Sequence, residues 1–150
     1  MDSYIELLIK FDSGEVGFQS LIDWAITQIG NDKESESLNE LAWLNSPTKL
    51  EARELYIRAI DELNYSLPSY SERKLLIAKK VAAKMIAGEK DINEGCSELS
   101  EISRELDSPG TLSVFELLAH EQYDHENIGI NSENIKPSIL EEASRLVNET

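Results

Sequence analysis

The two histidines of the chain, His120 and His125, lie in the stretch HEQYDHEN (120–127). Imidazole and carboxylate groups are metal ligands, and Glu116, His120 and Asp124 recur at the four-residue spacing of one helical face. Glu121 and His125 form a second pair of this kind. The histidines themselves are five residues apart, so on a regular helix they diverge by about 140° and do not grip one ion. We therefore predict no metal site and no cofactor.

Four glutamates form the sharpest pattern in the chain: Glu94, Glu98, Glu101 and Glu105. On a helix they share an arc of about 60°, opposite the apolar residues of the same segment. We call these four residues the glutamate arc. Like charges four residues apart cost a few tenths of a kcal/mol each, which leaves two interpretations open. The arc binds a cationic partner, or it is a solvated face that the chain's own lysines compensate.

A basic strip precedes the arc, and it consists of Arg73, Lys74, Lys79, Lys80 and Lys84. Such a strip could bind phosphate or an acidic partner. A short connection favours antiparallel packing of consecutive helices, so we expect the strip to pair with the acidic helix that follows it.

Two further side chains could do chemistry or binding. Cys96 is the only cysteine and sits among apolar positions, which predicts a buried, inert thiol. Trp43 falls off the face of Leu38, Leu41 and Ala42 in the sequence LAWL. It either packs at an edge of the fold or is exposed as a binding anchor, and we include it among the candidate partner-binding residues.

The elements that position these residues are helices, because apolar residues recur at helical spacing and strict alternation is missing. We predict an all-α fold, a single domain over 1–150 built as a bundle or array of about seven helices. The capping pair Asp91 and Glu94 starts the helix of the arc, and Gly88 ends the one before it. Elsewhere Asp12 or Ser13 and Ser71 are predicted caps, and Pro47 and Pro137 are predicted to start helices. The positions predicted to point inward include Leu50, Ile86, Leu140, Ala143 and Val147.

The net charge of −15 comes from 14 basic and 29 acidic residues. It is −7 over 1–45, +3 over 46–90 and −11 over 91–150. Such a balance repels nucleic acid and anionic membranes and favours a basic protein partner. No signal peptide or apolar span stands out, so we expect a cytoplasmic protein. Phosphate-binding loops, dinucleotide fingerprints and nucleophile elbows are missing, so we predict no catalytic residues and no enzyme.

The order of segments resembles a group of uncharacterised small, acidic, all-α bacterial proteins. The residues that carry this resemblance are Trp24-Ala25, LNELAWL (38–44), EARELYIRAIDEL (51–63) and MIAGEKDINEGCSEL (85–99). In general type the chain also resembles immunity proteins, which neutralise a toxin domain.

We therefore predict a non-enzymatic protein-binding domain of the immunity type, whose acidic helical surface neutralises a cationic toxin domain such as a nuclease. Two alternatives stay open. The chain is a structural or scaffold protein, or a homo-oligomer, whose acidity serves solubility alone. Otherwise it is a small enzyme or metal protein that uses the region His120–His125.

Overall fold

A computed structural model of the chain describes residues 2–127 and 135–149, with the backbone alone at 122–127. These residues form eight α-helices and no strand, which confirms the predicted all-α fold. The helices are α1 (Ser3–Asp12), α2 (Phe18–Gly30), α3 (Glu36–Ala42), α4 (Lys49–Glu62), α5 (Tyr70–Ile86), α6 (Ile92–Glu105), α7 (Ser113–Asn127) and α8 (Lys136–Asn148). None of the described helices is both long enough and apolar enough to cross a membrane.

The chain divides into two compact units, 1–69 and 70–150. Helices α1 to α4 belong to the first unit and α5 to α8 to the second. Each unit has buried apolar residues of its own, and the single-domain organisation stays a prediction.

The first unit is built around Tyr56, whose side chain is fully buried. Its hydroxyl donates to the Tyr4 carbonyl at 2.6 Å, and the Trp24 ring meets its ring edge-on with 4.7 Å between centroids. Burial raises the pKa of Tyr56 well above its usual value, so the phenol stays neutral and keeps its hydrogen bond. Leu8, Leu21, Leu38, Leu41 and Ile60 pack in the same core.

Two polar contacts connect sequence-distant helices of the first unit. The Arg53 guanidinium makes two hydrogen bonds to the Asp12 carboxylate, at 2.8 and 3.2 Å, which join α4 to α1. Glu62, at the end of α4, accepts from the Ser37 amide at 2.9 Å and from the Ser37 hydroxyl at 2.6 Å. These donors stabilise the carboxylate and lower the pKa of Glu62. Glu62 thus satisfies an amide at the start of α3, where no intrahelical acceptor exists.

In the second unit, α5 approaches α6 closely where Met85 packs on Gly95. A Cβ built on Gly95 would lie only 2.3 Å from the Met85 sulfur and 2.5 Å from Met85 Cγ. Met85 is 2% exposed. Glycine inside a helix costs stability relative to alanine. In α6, Gly95 lets the Met85 thioether of α5 reach the helix backbone.

Several predicted caps and inward positions are wrong. Ser13 does not start α2, because its hydroxyl donates to the Ile9 carbonyl at 2.9 Å and closes α1 instead; Asp12 ends that helix, and Gly17 caps α2. Helix α4 begins after Pro47, at Lys49, because the Thr48 hydroxyl accepts from the Glu51 amide.

The wrong inward positions lie in the terminal turns of helices. Leu50 is 65% exposed in the first turn of α4, and Ile86 is exposed in the last turn of α5. In α8 the buried row is Ile139, Ala143 and Leu146, and Val147 is exposed. The spacing of this row is also helical, so periodicity alone did not distinguish it from the predicted row.

Candidate protein-binding surfaces

Helix α6 starts where the sequence predicts. The Asp91 carboxylate accepts from the Glu94 amide at 3.0 Å, and before it Gly88 adopts a left-handed φ of 78° that ends α5. Along α6, Cys96 and Leu99 are fully buried on the face opposite the glutamate arc. The helix is therefore amphipathic, with its carboxylates on the outer side.

The four carboxylates of the arc are not equivalent. Glu98 forms a hydrogen-bonded ion pair with Lys90, and Glu105 lies 3.1 Å from Lys74 Nζ. Glu94 and Glu101 are exposed, and no ion pair occurs for either within 2–127 and 135–149. Two of the four negative charges are compensated inside the second unit, and two project to solvent.

The basic strip is occupied within the chain. Lys74 makes the predicted pairing with the acidic helix through Glu105, and Lys79 donates to the Glu149 carbonyl at 2.9 Å. Arg73, Lys80 and Lys84 have interaction partners as well. Pairing with α6 is confirmed at Lys74, whereas the backbone carbonyl that Lys79 reaches lies beyond the end of α8, which sequence spacing did not indicate.

Trp43 is the most exposed large apolar side chain of the described residues, at 85%. It follows Ala42, the last residue of α3, and ends that helix. Beside it lie Ile26 and Ile29 of α2, which are 53% and 37% exposed. Together with Ala42 these side chains line a groove of about 330 Å³. We call it the Trp43 groove.

The groove exists because the core covers the apolar side of α2 only in part: Ile26 lies at the edge of that side, and Ile29 lies in the last turn of the helix. Leu21, Ile22 and Ala25 are buried, while the next apolar positions, Ile26 and Ile29, are left at the surface. The sequence pattern indicated Trp43 as a candidate, but not the two isoleucines. The signal that could have found them is position: at 100° per residue Ile26 lies about 40° outside the arc of the three buried residues, and Ile29 lies in the last turn before Gly30.

In the histidine region the structure describes the side chains up to Glu121, so Asp124 and His125 lie outside the described side chains. His120 is exposed. Glu116, one helical turn before it, accepts from the Ser103 hydroxyl at 2.7 Å. Hydrogen bonds from Ser103 and Ser108 lower the pKa of Glu116, so this carboxylate connects α7 to α6. The described residues contain no group of three or more potential metal ligands.

Cys96 is the buried thiol that the sequence predicts. Its sulfur lies 3.7 Å from the Phe115 carbonyl, in contact with the neighbouring helix. Burial disfavours the charged thiolate and raises the pKa of Cys96 to about 11. The side chain is therefore a packing residue and a weak nucleophile.

A larger groove of about 690 Å³ lies in the second unit, along α8 and the start of α7. Arg145 is the positively charged residue of its lining. The guanidinium is held by Glu142 at 2.7 Å and by Glu141 at 3.0 Å. Two carboxylates therefore already neutralise this arginine, and no other cationic side chain lines the groove among the described residues.

Comparison of the chain with protein-family models, with curated proteins and with solved structures found no match. The resemblance to small acidic bacterial proteins therefore stays a prediction.

Proposed function

We propose that this chain is a non-enzymatic protein-binding domain that takes a basic protein partner on its acidic helical surface. In its most specific form it is a cytoplasmic immunity-type protein that neutralises a cationic bacterial toxin domain. The observation that carries the proposal is the state of the glutamate arc, where Glu94 and Glu101 are exposed without an ion pair among the described residues.

These two exposed carboxylates are seven residues apart, which corresponds to about 10.5 Å along a helix. They lie on a rigid support, because Leu99 and Cys96 anchor the opposite face of α6. Surface charges of this kind mainly increase the rate of encounter with an oppositely charged protein. Their effect decays over a Debye length of about 8 Å at physiological salt.

A nuclease toxin fits this chemistry, because a cleft that holds nucleic acid phosphates carries lysine and arginine. An acidic protein that occupies such a cleft competes with the phosphate backbone and blocks the active site. In this mechanism the acidic protein makes and breaks no covalent bond. The net charge of −15 adds long-range attraction to the local arc.

The test begins with co-expression of the chain and the C-terminal domain of the protein encoded immediately upstream. We expect the toxic domain to lose its lethality and to elute with this chain as a complex. A lethal toxin with no shared elution peak would refute the immunity-type function.

The contribution of the arc is tested by the double variant E94K/E101K. We expect the association rate to fall roughly tenfold at low ionic strength, with little change at high salt. The matched control is E54K/D61K on α4, which reverses two exposed carboxylates at the same seven-residue spacing. Equal effects of the two variants would show that only net charge matters, and the arc would not be the contact.

Glu98 and Glu105 each pair with a lysine of the chain itself. This internal compensation favours a second candidate, a scaffold or self-associating protein whose acidity serves solubility. This candidate predicts that E94K/E101K leaves every association of the chain unchanged. Sedimentation of the wild-type chain and of the variant distinguishes the two candidates.

A further inference from the structure

The Trp43 groove is a preformed apolar surface within the first unit. Leu38 and Leu41 of α3 are fully buried, and the two hydrogen bonds from Ser37 to Glu62 hold the start of that helix on α4. The support under Trp43 is therefore tightly packed. Binding of a partner therefore does not require this support to become ordered. The entropy lost in such ordering is one of the main terms that lower affinity at interfaces.

The size of the groove limits what fits into it. Its volume of about 330 Å³ is near the lower end of ligand pockets, roughly 300–1,000 Å³. This is room for one or two apolar side chains rather than for a whole element. Exposed tryptophans beside such pockets are the residue type most enriched among interface hot spots.

The surroundings of the groove are acidic. Residues 18–43, which include α2 and α3, contain five acidic residues and one lysine. Asp23 precedes Ile26 by three residues on α2, so the two share a helix face, and Glu40 lies in the last turn of α3, three residues before Trp43. Glu36 lies one turn before Glu40, as the first residue of α3. All three are exposed, and the described part of the chain gives them no ion pair.

This combination of charges selects the occupant. A second copy of the chain would bring the same acidic surface and a further charge of −15, so like-charge repulsion opposes it. A segment with apolar side chains on one side and lysine or arginine beside them matches both properties of the site.

We propose that the Trp43 groove is the docking site for a short amphipathic, basic segment of a protein partner. One or two aliphatic or aromatic side chains of that segment pack against Trp43, Ile26 and Ile29. Its basic residues meet Asp23, Glu36 and Glu40. The inference rests on the proposed function in that the partner is a basic protein, and it assigns an apolar docking site within the first unit.

The test uses an 18-residue synthetic peptide of leucine and lysine at helical spacing, titrated into the full chain in a W24F variant that leaves Trp43 as the sole tryptophan. We expect one-to-one binding by calorimetry and a blue shift of the Trp43 emission. A peptide with glutamate in place of lysine is the charge control, and one with serine in place of leucine is the apolar control. Both are expected to bind at least tenfold more weakly.

Two sets of variants locate the site. In the wild-type background W43A is expected to weaken the leucine–lysine peptide roughly 30-fold, the scale of a hot-spot residue. The pair D23N/E40Q is expected to weaken it severalfold and to reduce its salt dependence. The control pair E54Q/D61N removes the same charge from α4 and should change little. Circular dichroism checks the fold of each variant, and the exposure of Trp43 means that W43A keeps its core.

Retention of full peptide affinity by W43A, or equal binding of the glutamate peptide, would refute the docking site. Binding of the apolar dye anilinonaphthalene sulfonate at Trp43 without binding of the peptide would also refute it, because that result would indicate a small-molecule pocket. Neutralisation of the upstream toxin domain by W43A at wild-type strength refutes the groove alone. Peptide binding at Trp43 beside a toxin domain that stays lethal refutes the immunity-type function alone.

Discussion

The contact between Gly95 and Met85 makes the packing of α5 on α6 testable by a single methyl group. In G95A the new Cβ would lie 2.3 Å from the Met85 sulfur and 2.5 Å from Cγ, so the thioether must move. Met85 is buried, and a side chain in a close-packed interior has little space to move into. Overpacking of this kind costs about 1–3 kcal/mol.

The same substitution also has a favourable contribution, because alanine is better than glycine in a helix interior by about 1 kcal/mol. The expected net effect is therefore a loss of about 0–2 kcal/mol of unfolding free energy. The matched control is G30A in α2, where a Cβ meets nothing within 4 Å. Without a clash, G30A is expected to be neutral or stabilising by up to about 1 kcal/mol.

A double-mutant cycle separates the clash from other effects. M85A alone leaves a cavity and is expected to cost about 2–5 kcal/mol. In M85A/G95A the new methyl group has space and occupies part of that cavity, so G95A should become stabilising in this background. We expect a favourable coupling of about 1–3 kcal/mol between the two positions.

The assay is urea unfolding followed by circular dichroism, with equal slopes required for the comparison of midpoints. Stabilisation of the wild-type chain by G95A to the same extent as by G30A would refute the argument. It would mean that Met85 moves aside without cost and that α5 and α6 are not closely packed at this glycine.

Two further predictions concern single groups. Burial raises the pKa of Cys96 to about 11. The native chain at pH 8 is therefore expected to react with a disulfide reagent far more slowly than the urea-unfolded chain. Equal rates for the native and unfolded chains would contradict the burial of the thiol. The pKa values of Glu62 and Glu116 are lowered in the folded chain by serine hydrogen bonds, so each contributes stability that is present above the ordinary value of 4.5 and is lost as the pH falls through the lower folded value. The variants E62Q and E116Q should therefore flatten the dependence of unfolding free energy on pH below about 4.5, and an unaltered dependence in both variants would contradict this cause.

Local patterns were sufficient to predict the helix of the glutamate arc. The Asp91 carboxylate caps the amide of Glu94, and the left-handed Gly88 ends the preceding helix, because both contacts lie within one turn of the chain. The apolar side of α6 follows from the 3.6-residue period in the same way. Exposure of Trp43 was one of two open alternatives, since its position after Ala42 fits either packing at an edge or projection into solvent.

Tertiary structure decided which glutamates of the arc form ion pairs and which apolar side chains of α2 are exposed. The arc has one sequence pattern, yet Glu105 meets Lys74 from another helix while Glu101 meets no cation among the described residues. In the same way, Ile26 and Ala25 are neighbours in one apolar stripe, but only Ala25 is covered. The sequence alone determined that the chain is helical and which face of α6 is apolar, because hydrogen bonds and side-chain period act over a few residues, but it did not determine the buried row of α8. The Trp43 groove and the exposure of Glu94 and Glu101 depend on where other helices pack, and that placement depends on contacts between residues far apart in the chain.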